Sequence, residues 1–269
     1  TTKGILTAWQ RLHDRLLITD NASFEGMQPS DVLPYLDYTR LVNETVLPKR
    51  YQAIFDYCFD RLKVRDYFAT KTYRHAELLS EPILVLPIWV SPEGPNLWRK
   101  PNPWGEAWVD LIAQHDGLLD LRLPSTLATE RAIDVMPLMS RDRATLAKAA
   151  SLESTERVLL MVMTPKQKGT SIVVDVTADL FDRNGRFQST AYSLADAPFQ
   201  QNDIISSVSG IAQVLLAGVE DVWRQANEIY VKKGGVVMVT VKSRALKEWR
   251  ANIDVLQSLP PVDKVSIIQ

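Results

Sequence analysis

Residues 158–194 read VLLMVMTPKQKGTSIVVDVTADLFDRNGRFQSTAYSL, and this stretch decides the fold. A continuous apolar run at 158–163 precedes a turn at 166–169, and apolar and polar residues then alternate over 172–180. The pair Asn184-Gly185 is a strong hairpin signal, and residues 187–194 return as the partner strand. Together the three runs predict an antiparallel meander.

The residues that follow the meander predict its cover. Over 202–230 apolar side chains recur at steps of three and four, which is typical of one long amphipathic helix. At about 1.5 Å per residue the helix would extend roughly 40 Å, enough to lie across the whole meander. Gly210 and Gly218 within it mark either a close approach to the sheet or positions that weaken the helix.

Toward the N-terminus, the apolar run 83–89 predicts a strand buried on both faces, which ends or bulges at Pro87. Residues 104–114 predict a helix, 118–123 another strand, and 140–150 a helix capped by Ser140. The polar stretch 73–82 reads as a linker.

The ends of the chain predict two smaller modules. A helix over 5–18, two extended runs within 36–60 and a helix over 61–70 form an N-terminal α+β module. Aromatic residues alternate along the second run, which predicts that Tyr51, Phe55, Tyr57 and Phe59 share one face of a strand. At the other end, strands at 236–241 and 262–268 flank a helix that presents Leu246, Trp249, Ile253 and Leu256, a βαβ unit with parallel strands. The fold class is therefore α/β (α+β), with mixed and antiparallel sheets covered by helices, in three parts: 1–80, 81–231 and 232–269.

Composition sets limits on the partners. The 31 Lys and Arg nearly balance the 32 Asp and Glu, so the strongly basic balance typical of nucleic-acid binding is absent and nucleic acid is not expected. No apolar run reaches about 18–20 residues, so we expect no transmembrane segment. Because the sequence opens at Thr1, we expect a removed presequence or a trimmed chain. The lone Cys58 predicts a small buried hydrophobe rather than a reactive thiol.

No catalytic signature is present in the sequence. The histidines, at positions 13, 75 and 115, lie far apart and are expected to be solvated or to cap helices. Phosphate-binding glycine motifs and GxSxG are absent. Asp175 and Asp179 share a strand face, where solvated carboxylates are expected. Only Asp110, His115 and Asp116 form a local cluster that an enzyme or a metal would use. We therefore predict no enzyme, no cofactor and no metal.

The aromatic segment 89–108 is the most unusual part of the chain. Trp89, Trp98, Trp104 and Trp108 fall within twenty residues, with four prolines among them and Pro87 just before. Tryptophan is enriched where partners dock, so these residues predict a docking platform or the lining of an apolar pocket. The alternative is a loop that its own indoles hold against the core. With Asn102, the four tryptophans are the candidate binding residues.

The same segment carries a resemblance to a known family. The run 83–89, Leu97-Trp98, Pro101-Asn102-Pro103-Trp104 and Ala107-Trp108, together with the tail pattern around Trp249, resembles the DUF2066 family of bacterial exported proteins of unknown function. The likeness covers nearly the whole chain. It implies no catalytic residue, and it implies a periplasmic location after removal of the presequence. The central part also looks like the amino-terminal α/β domains of TolB and CsgG, although the only cysteine here is internal.

The sequence thus predicts a non-catalytic protein of the periplasm or cell envelope that acts as a protein–protein interaction or assembly module. Its expected partners are other envelope proteins. A second hypothesis is a carrier or sensor of an apolar small molecule or lipid, with the four indoles lining its pocket. A third is an uncharacterised enzyme. The tail or edge strands are available to pair with another chain, and a homo-oligomer is compatible with this.

Overall fold

The structure, a computed structural model, describes residues 2–18, 27–47, 50–229, 235–259, 262 and 264–267. It divides into two compact units. Unit 1 comprises residues 1–78 and 227–269, and unit 2 comprises residues 79–226.

Unit 1 begins with helix α1 (Thr2–Leu16), a short helix α2 (Pro29–Val32) and a 3-10 turn (Leu33–Tyr35). An antiparallel hairpin of strands β1 (Leu36–Leu47) and β2 (Arg50–Phe59) follows, and then helix α3 (Arg61–Lys71). The predicted helix, hairpin and helix are therefore confirmed. Asp60 begins α3 because its carboxylate accepts hydrogen bonds from the amides of Leu62 and Lys63.

An aromatic cluster forms the core of unit 1. The indole of Trp9 stacks on Tyr35 at 5.0 Å between ring centroids and meets Phe59 edge-on at 5.2 Å. His13 packs against Phe68 at 5.2 Å. Phe59 lies at the end of the hairpin that α1 covers. The alternating aromatic residues of β2 thus place one face of the hairpin toward this cluster.

Residues 73–78, predicted to be a polar linker, contribute to this unit. His75 and Ala76 are buried, and Ala76 forms a β-bridge with Glu228. The guanidinium of Arg74 donates two hydrogen bonds to the Glu228 carboxylate at 2.9 and 2.6 Å. These contacts explain why the residues after 226 group with the N-terminal residues rather than forming a separate third part.

The predicted C-terminal βαβ unit is wrong in its strands. Helix α9 (Leu246–Ser258) forms where its apolar spacing placed it. Among the described residues, however, 235–245, 262 and 264–267 contain no strand, and part of the second predicted strand lies outside the described residues. Apolar, β-branched composition favours a strand only where the segment pairs with a neighbouring edge, and residues 235–245 pair with no strand in the described part of unit 1.

Unit 2 is built on a six-stranded sheet. Its strands are β3 (Ile83–Ser91), β4 (Gly94–Asn96), β5 (Leu121–Arg122), β6 (Arg157–Lys168), β7 (Ser171–Asp182) and β8 (Phe187–Pro198). Its helices are α4 (Pro103–Gln114), α5 (Leu127–Ala132), α6 (Val135–Met139), α7 (Arg143–Leu152) and α8 (Ile204–Ala226). The order β4-β3-β6-β7-β8 makes β6, β7 and β8 the predicted antiparallel meander, and β3 joins β6 in parallel.

Helices cover both faces of this sheet. Alternate strand residues such as Met161 and Val176 pack against α4 and α8, while Leu160 and Phe181 pack on the opposite face against α6 and α7. The long helix α8 contributes a row of buried apolar side chains, as its periodicity predicted. The fold class is confirmed: helices cover a mixed sheet that contains an antiparallel meander.

Helix α8 belongs to this core although its composition resembles that of a membrane span. Residues 201–226 are long and apolar enough to cross a bilayer by length and composition alone. Its buried residues Val208, Leu215 and Val219 pack in the apolar cluster against the sheet. The core helix of a soluble protein passes the same length and composition test, so the finding is weak evidence for a membrane.

Two local predictions in unit 2 need correction. Pro87 neither ends nor bulges β3: it pairs in register with Met161 of β6, and the strand continues to Ser91. On its other side β3 pairs with β5 only at residues 83–84 and with β4 only at 89–91, so Pro87 lies where no strand requires an amide. Helix α7 is capped by Asp142, whose carboxylate accepts from the Thr145 amide, and not by Ser140.

Candidate functional site

The aromatic segment is mostly core. Trp104 and Trp108 lie on successive turns of α4, are almost completely buried, and meet edge-on with ring centroids 5.6 Å apart. The Trp104 indole donates a hydrogen bond to the Met161 carbonyl at 3.3 Å. Neither ring is accessible to a partner while α4 stays folded, so these two residues are better explained by packing than by docking.

Asn102 holds the segment together. Its side-chain oxygen accepts from the Gly105 amide at 2.9 Å and so caps α4. Its side-chain nitrogen donates to the carbonyls of Leu97 at 3.0 Å and Pro87 at 3.3 Å. The side-chain amide of Asn102 thus donates to a carbonyl of β3 at a position where neither β4 nor β5 pairs with that strand. Asn102 is buried, and its side chain connects the loop before α4 to both strand β3 and helix α4.

Trp89 and Trp98 do not join the two buried tryptophans in one surface. Trp89 is half-buried and faces Phe199 with ring centroids 6.0 Å apart, on the face of the sheet that α8 covers. Trp98 packs on the opposite face and donates its indole hydrogen to the Ile133 carbonyl at 2.8 Å. The four indoles therefore share no common pocket, which removes the geometry on which the apolar-ligand hypothesis was based.

One cleft nevertheless contains a member of the set. It has a volume of about 470 Å³ and lies between the loop 95–99, which includes Trp98, and residues 130–135. Arg99 and Arg131 line it together with Glu130 and Asp134. Charges of both signs surround the opening, so the cleft suits a polar molecule better than a lipid.

The local cluster of Asp110, His115 and Asp116, which an enzyme or a metal would use, does not form. Asp110 and Asp116 are exposed, whereas the His115 Nε2 lies 2.9 Å from a carboxylate oxygen of buried Glu220. The Glu220 carboxylate also accepts from the Leu119 amide at 3.1 Å. Burial raises the pKa of Glu220, but the hydrogen bonds from His115 and that amide outweigh it and hold the pKa below its usual value. In the described part of the chain no group of acidic, histidine or cysteine side chains is arranged to hold a metal ion.

The histidines at 13 and 75 are buried, which corrects the expectation that they are solvated. His13 Nδ1 lies 2.8 Å from the Trp9 carbonyl, and burial lowers the pKa of His13. His75 Nε2 lies 3.5 Å from the Glu77 carboxylate. The guanidinium of Arg65 donates to both oxygens of Glu77, at 2.7 and 2.8 Å, so this group is a structural ion pair.

Asp179 is likewise buried rather than solvated, with only 3% of its surface exposed. Its carboxylate accepts hydrogen bonds from Arg141, at 2.8 Å from Nε, and from the Thr190 hydroxyl at 2.7 Å. Asp175, four residues away, pairs at the surface with Lys166. Two carboxylates with separate partners do not form an acid–base pair.

The hairpin of unit 1 has an apolar face that the aromatic alternation along 51–59 predicted, although it was not among the candidate binding residues. Residues opposite each other in register share a face, which places Val46 with Tyr51 and Leu41 with Phe55 on the face of Tyr57 and Phe59. Helix α1 covers the end nearest Phe59. At the other end, which we name the distal hairpin face, Leu41, Val46 and Tyr51 are 45%, 74% and 59% exposed.

Helix α1 contacts the hairpin as far as Tyr57. A Cβ atom added to Gly4 of α1 would lie 2.5 Å from the Tyr57 hydroxyl, so the helix touches the hairpin there. The alternation of aromatic residues along 51–59 was the available sequence signal. It correctly indicated one apolar face, but it could not show that α1 covers only half of it.

A second exposed apolar surface lies in the tail. Residues 236–241, which we name the tail segment, have the sequence Val-Val-Met-Val-Thr-Val. Their apolar side chains range from 41% exposed at Val241 to 98% exposed at Val236. The strand prediction identified this segment, but it placed it in a covered βαβ unit.

Comparisons with known proteins reveal partial structural likeness only. No protein-family model matches the chain, and no curated protein matches it. Lipoprotein GNA1162 from Neisseria meningitidis is 19% identical over 51% of this chain and 97% of that chain, with a TM-score of 0.30. A PelC dodecamer from Paraburkholderia phytofirmans is 12% identical over 54% and 94%, with a TM-score of 0.31. The hypothetical protein CT253 from Chlamydia trachomatis is 16% identical over 52% and 93%, with a TM-score of 0.32. The resemblance to DUF2066 stays a prediction.

Proposed function

We propose that this protein is a non-catalytic interaction or assembly module of the bacterial cell envelope, and that unit 1 carries its contact surface. The observation that supports this most strongly is the pair of exposed apolar surfaces in unit 1, the distal hairpin face and the tail segment. The envelope location rests on the resemblance to exported DUF2066 proteins.

The distal hairpin face is unfavourable if it stays in water. Leu41, Val46 and Tyr51 are exposed on this face, and Glu44, which accepts a hydrogen bond from the Tyr51 hydroxyl at 3.0 Å, lies between them. Each buried aliphatic or aromatic side chain contributes about 1.5–3 kcal/mol. A two-stranded hairpin is also only marginally stable by itself. Both considerations favour a partner that covers this face, since exposed apolar side chains with polar residues among or around them mark protein–protein contact sites.

Unit 2 differs from unit 1 in how fully its sheet is covered. Its sheet is covered on both faces, and its carboxylates at 179 and 220 are committed to structural hydrogen bonds. A unit whose sheet is covered on both faces, linked to one with uncovered apolar surfaces, fits a protein that holds other molecules rather than converting them.

Photo-crosslinking in intact cells tests the proposal. A photoreactive amino acid placed at Tyr51 or at Met238 is expected to give covalent adducts with other proteins. Leu127, which is 68% exposed on α5 of unit 2, is the matched control position and is expected to give none. Equal labelling at all three positions, or no adduct at Tyr51 and Met238, would contradict the proposal. Cell fractionation of the same samples tests the periplasmic location.

A small-molecule carrier is the second candidate function, and the cleft beside Trp98 favours it. Its volume of about 470 Å³ lies within the usual range of about 300–1,000 Å³ for ligand sites. Native mass spectrometry of the protein purified without denaturation is the test. A bound small molecule that Arg131→Ala removes would support this function, and the bare mass of the chain would argue against it.

A further inference from the structure

The cleft beside Trp98 in unit 2 combines apolar lining with charged lining. Leu97 and Ile133 in its wall are buried, and Trp98 is half-buried. The charged residues of the lining are all exposed, and they are Arg99, Glu130, Arg131 and Asp134. An apolar interior with a few polar groups around it is the usual arrangement of a site that binds a small molecule.

Hydrogen bonds hold the walls of the cleft in place. The Trp98 indole donates to the Ile133 carbonyl at 2.8 Å and so connects one wall to the other. On the first wall, the Asn96 side chain accepts from the Arg99 amide at 2.9 Å and donates to the Arg99 carbonyl at 2.7 Å. On the second wall, the Lys148 ammonium group donates to the last carbonyl of α5 at 3.1 Å. Because the cleft is preformed, a ligand loses little free energy in ordering it.

The four charged side chains of the cleft are not used in ion pairs. Within the described part of the chain, none of them forms a salt bridge or a side-chain hydrogen bond. Asp134 precedes α6, but its carboxylate makes no capping hydrogen bond. By contrast, Arg183 and Glu156 on the surface of the same unit pair at 3.1 Å. The cleft therefore offers two guanidinium groups and two carboxylates to a ligand.

Charge and size together indicate the class of ligand. The guanidinium groups attract an anion that the carboxylates repel, and the reverse holds for a cation, whereas a molecule with one charge of each sign is attracted by both. The cleft volume of about 470 Å³ equals about 16 water molecules at about 30 Å³ each. This is room for about 16 non-hydrogen atoms, the size of a di- or tripeptide, and the apolar wall suits one of its side chains.

We propose that the cleft beside Trp98 binds a short peptide with free termini. The guanidinium groups of Arg99 and Arg131 bind its carboxylate, the carboxylates of Glu130 and Asp134 bind its ammonium group, and an apolar side chain of the peptide packs on the Trp98 wall. This inference deepens the second candidate function, the small-molecule carrier, and rests on it, because it names the class of molecule that is carried.

Isothermal titration calorimetry of the full chain with the tripeptide Ala-Leu-Ala tests the proposal. At low salt we expect a dissociation constant of about 10 μM to 1 mM, because exposed ion pairs are individually weak. Acetylation of the amino terminus and amidation of the carboxyl terminus each remove one charge of the peptide. Each change should raise the dissociation constant at least about fivefold, since each removes charge-assisted hydrogen bonds.

Two variants assign the two ends of the peptide. Arg131→Ala should weaken binding of the free and the acetylated tripeptide but leave the amidated one unchanged, because the amidated tripeptide has no carboxylate for the guanidinium group to bind. Asp134→Asn should weaken binding of the free and the amidated tripeptide but leave the acetylated one unchanged. Arg186→Ala replaces an exposed arginine of unit 2 outside the cleft lining and is the matched control. Circular dichroism checks that each variant is folded.

The outcomes separate this inference from the carrier function. No saturable binding, equal affinity for the tripeptide blocked at both ends, or the same effect of Arg131→Ala on the free and the amidated tripeptide would overturn the inference. Tighter binding of a tripeptide blocked at one end would also overturn it, because the cleft would then suit the terminus of a protein chain. A co-purified molecule of another class that Arg131→Ala removes would overturn the peptide assignment but leave the carrier function standing.

Discussion

The same substitution, glycine to alanine, is expected to change the stability of the protein in opposite directions at two positions of helix α8. A Cβ atom added to Gly218 would lie 2.5 Å from ring atoms of Tyr192 on β8, closer than any normal contact. A Cβ atom added to Gly210 would meet nothing within 4 Å. Gly218→Ala therefore tests whether α8 presses on the sheet at that point, and Gly210→Ala is the matched control in the same helix.

The magnitudes follow from two opposing terms. Alanine is favoured over glycine in a helix interior by about 1 kcal/mol, so Gly210→Ala should raise the free energy of unfolding by about that amount. Gly218→Ala gains the same term, but forcing a methyl group against a rigid ring costs about 1–3 kcal/mol. We expect a net loss of up to about 2 kcal/mol. Subtracting the change in the free energy of unfolding of Gly210→Ala from that of Gly218→Ala cancels the contribution of helix propensity and leaves the steric cost.

Urea unfolding followed by circular dichroism measures both variants. In addition, Tyr192→Ala combined with Gly218→Ala should recover part of the loss from Gly218→Ala, because the methyl group then enters the space that the ring leaves. If Gly218→Ala stabilises the protein as much as Gly210→Ala does, helix α8 does not contact β8 as the structure has it, and the reasoning is refuted.

Two further predictions concern buried polar groups. Asn102→Asp keeps an oxygen that can cap α4 but loses the donor to the Leu97 and Pro87 carbonyls, so we expect a loss of about 2–4 kcal/mol in urea unfolding, whereas a residue that only caps a helix would tolerate Asp. Burial lowers the pKa of His13 from its ordinary 6.5, so the unfolded chain binds a proton first as pH falls. The stability of unit 1 should therefore be complete above pH 6.5 and decline as pH falls below it, and His13→Gln should flatten that slope. A slope that the substitution leaves unchanged would contradict this.

Periodicity predicted the covered elements of unit 2 well. The alternation over 172–180, the Asn184-Gly185 turn and the three-and-four spacing of α8 each report local geometry, and each formed as expected. The turn is built as a tight hairpin in which the Gly185 amide donates to the Asp182 carbonyl at 2.9 Å. These patterns were sufficient because a strand or helix that buries one face has one consistent period.

The candidate site was harder to predict because it depends on what the rest of the chain covers. The spacing of the tryptophans is the same whether their rings are exposed or buried, and only the packing of α4 on the sheet decides that Trp104 and Trp108 are core. The prediction for the tail segment failed for a different reason. Its composition predicts a strand, but a strand also needs a neighbouring edge, and sequence patterns do not show whether the fold supplies one.

Amide hydrogen exchange tests the central claim, that unit 1 carries apolar surfaces which a partner covers. It compares dilute monomer with the assembled protein isolated from cells. We predict that the strands β6 and β7 are strongly protected in both samples, while the tail segment and the distal end of the hairpin exchange fast in the monomer and become protected in the assembly. Equal, strong protection of the tail segment in dilute monomer, or unchanged fast exchange after assembly, would contradict the account.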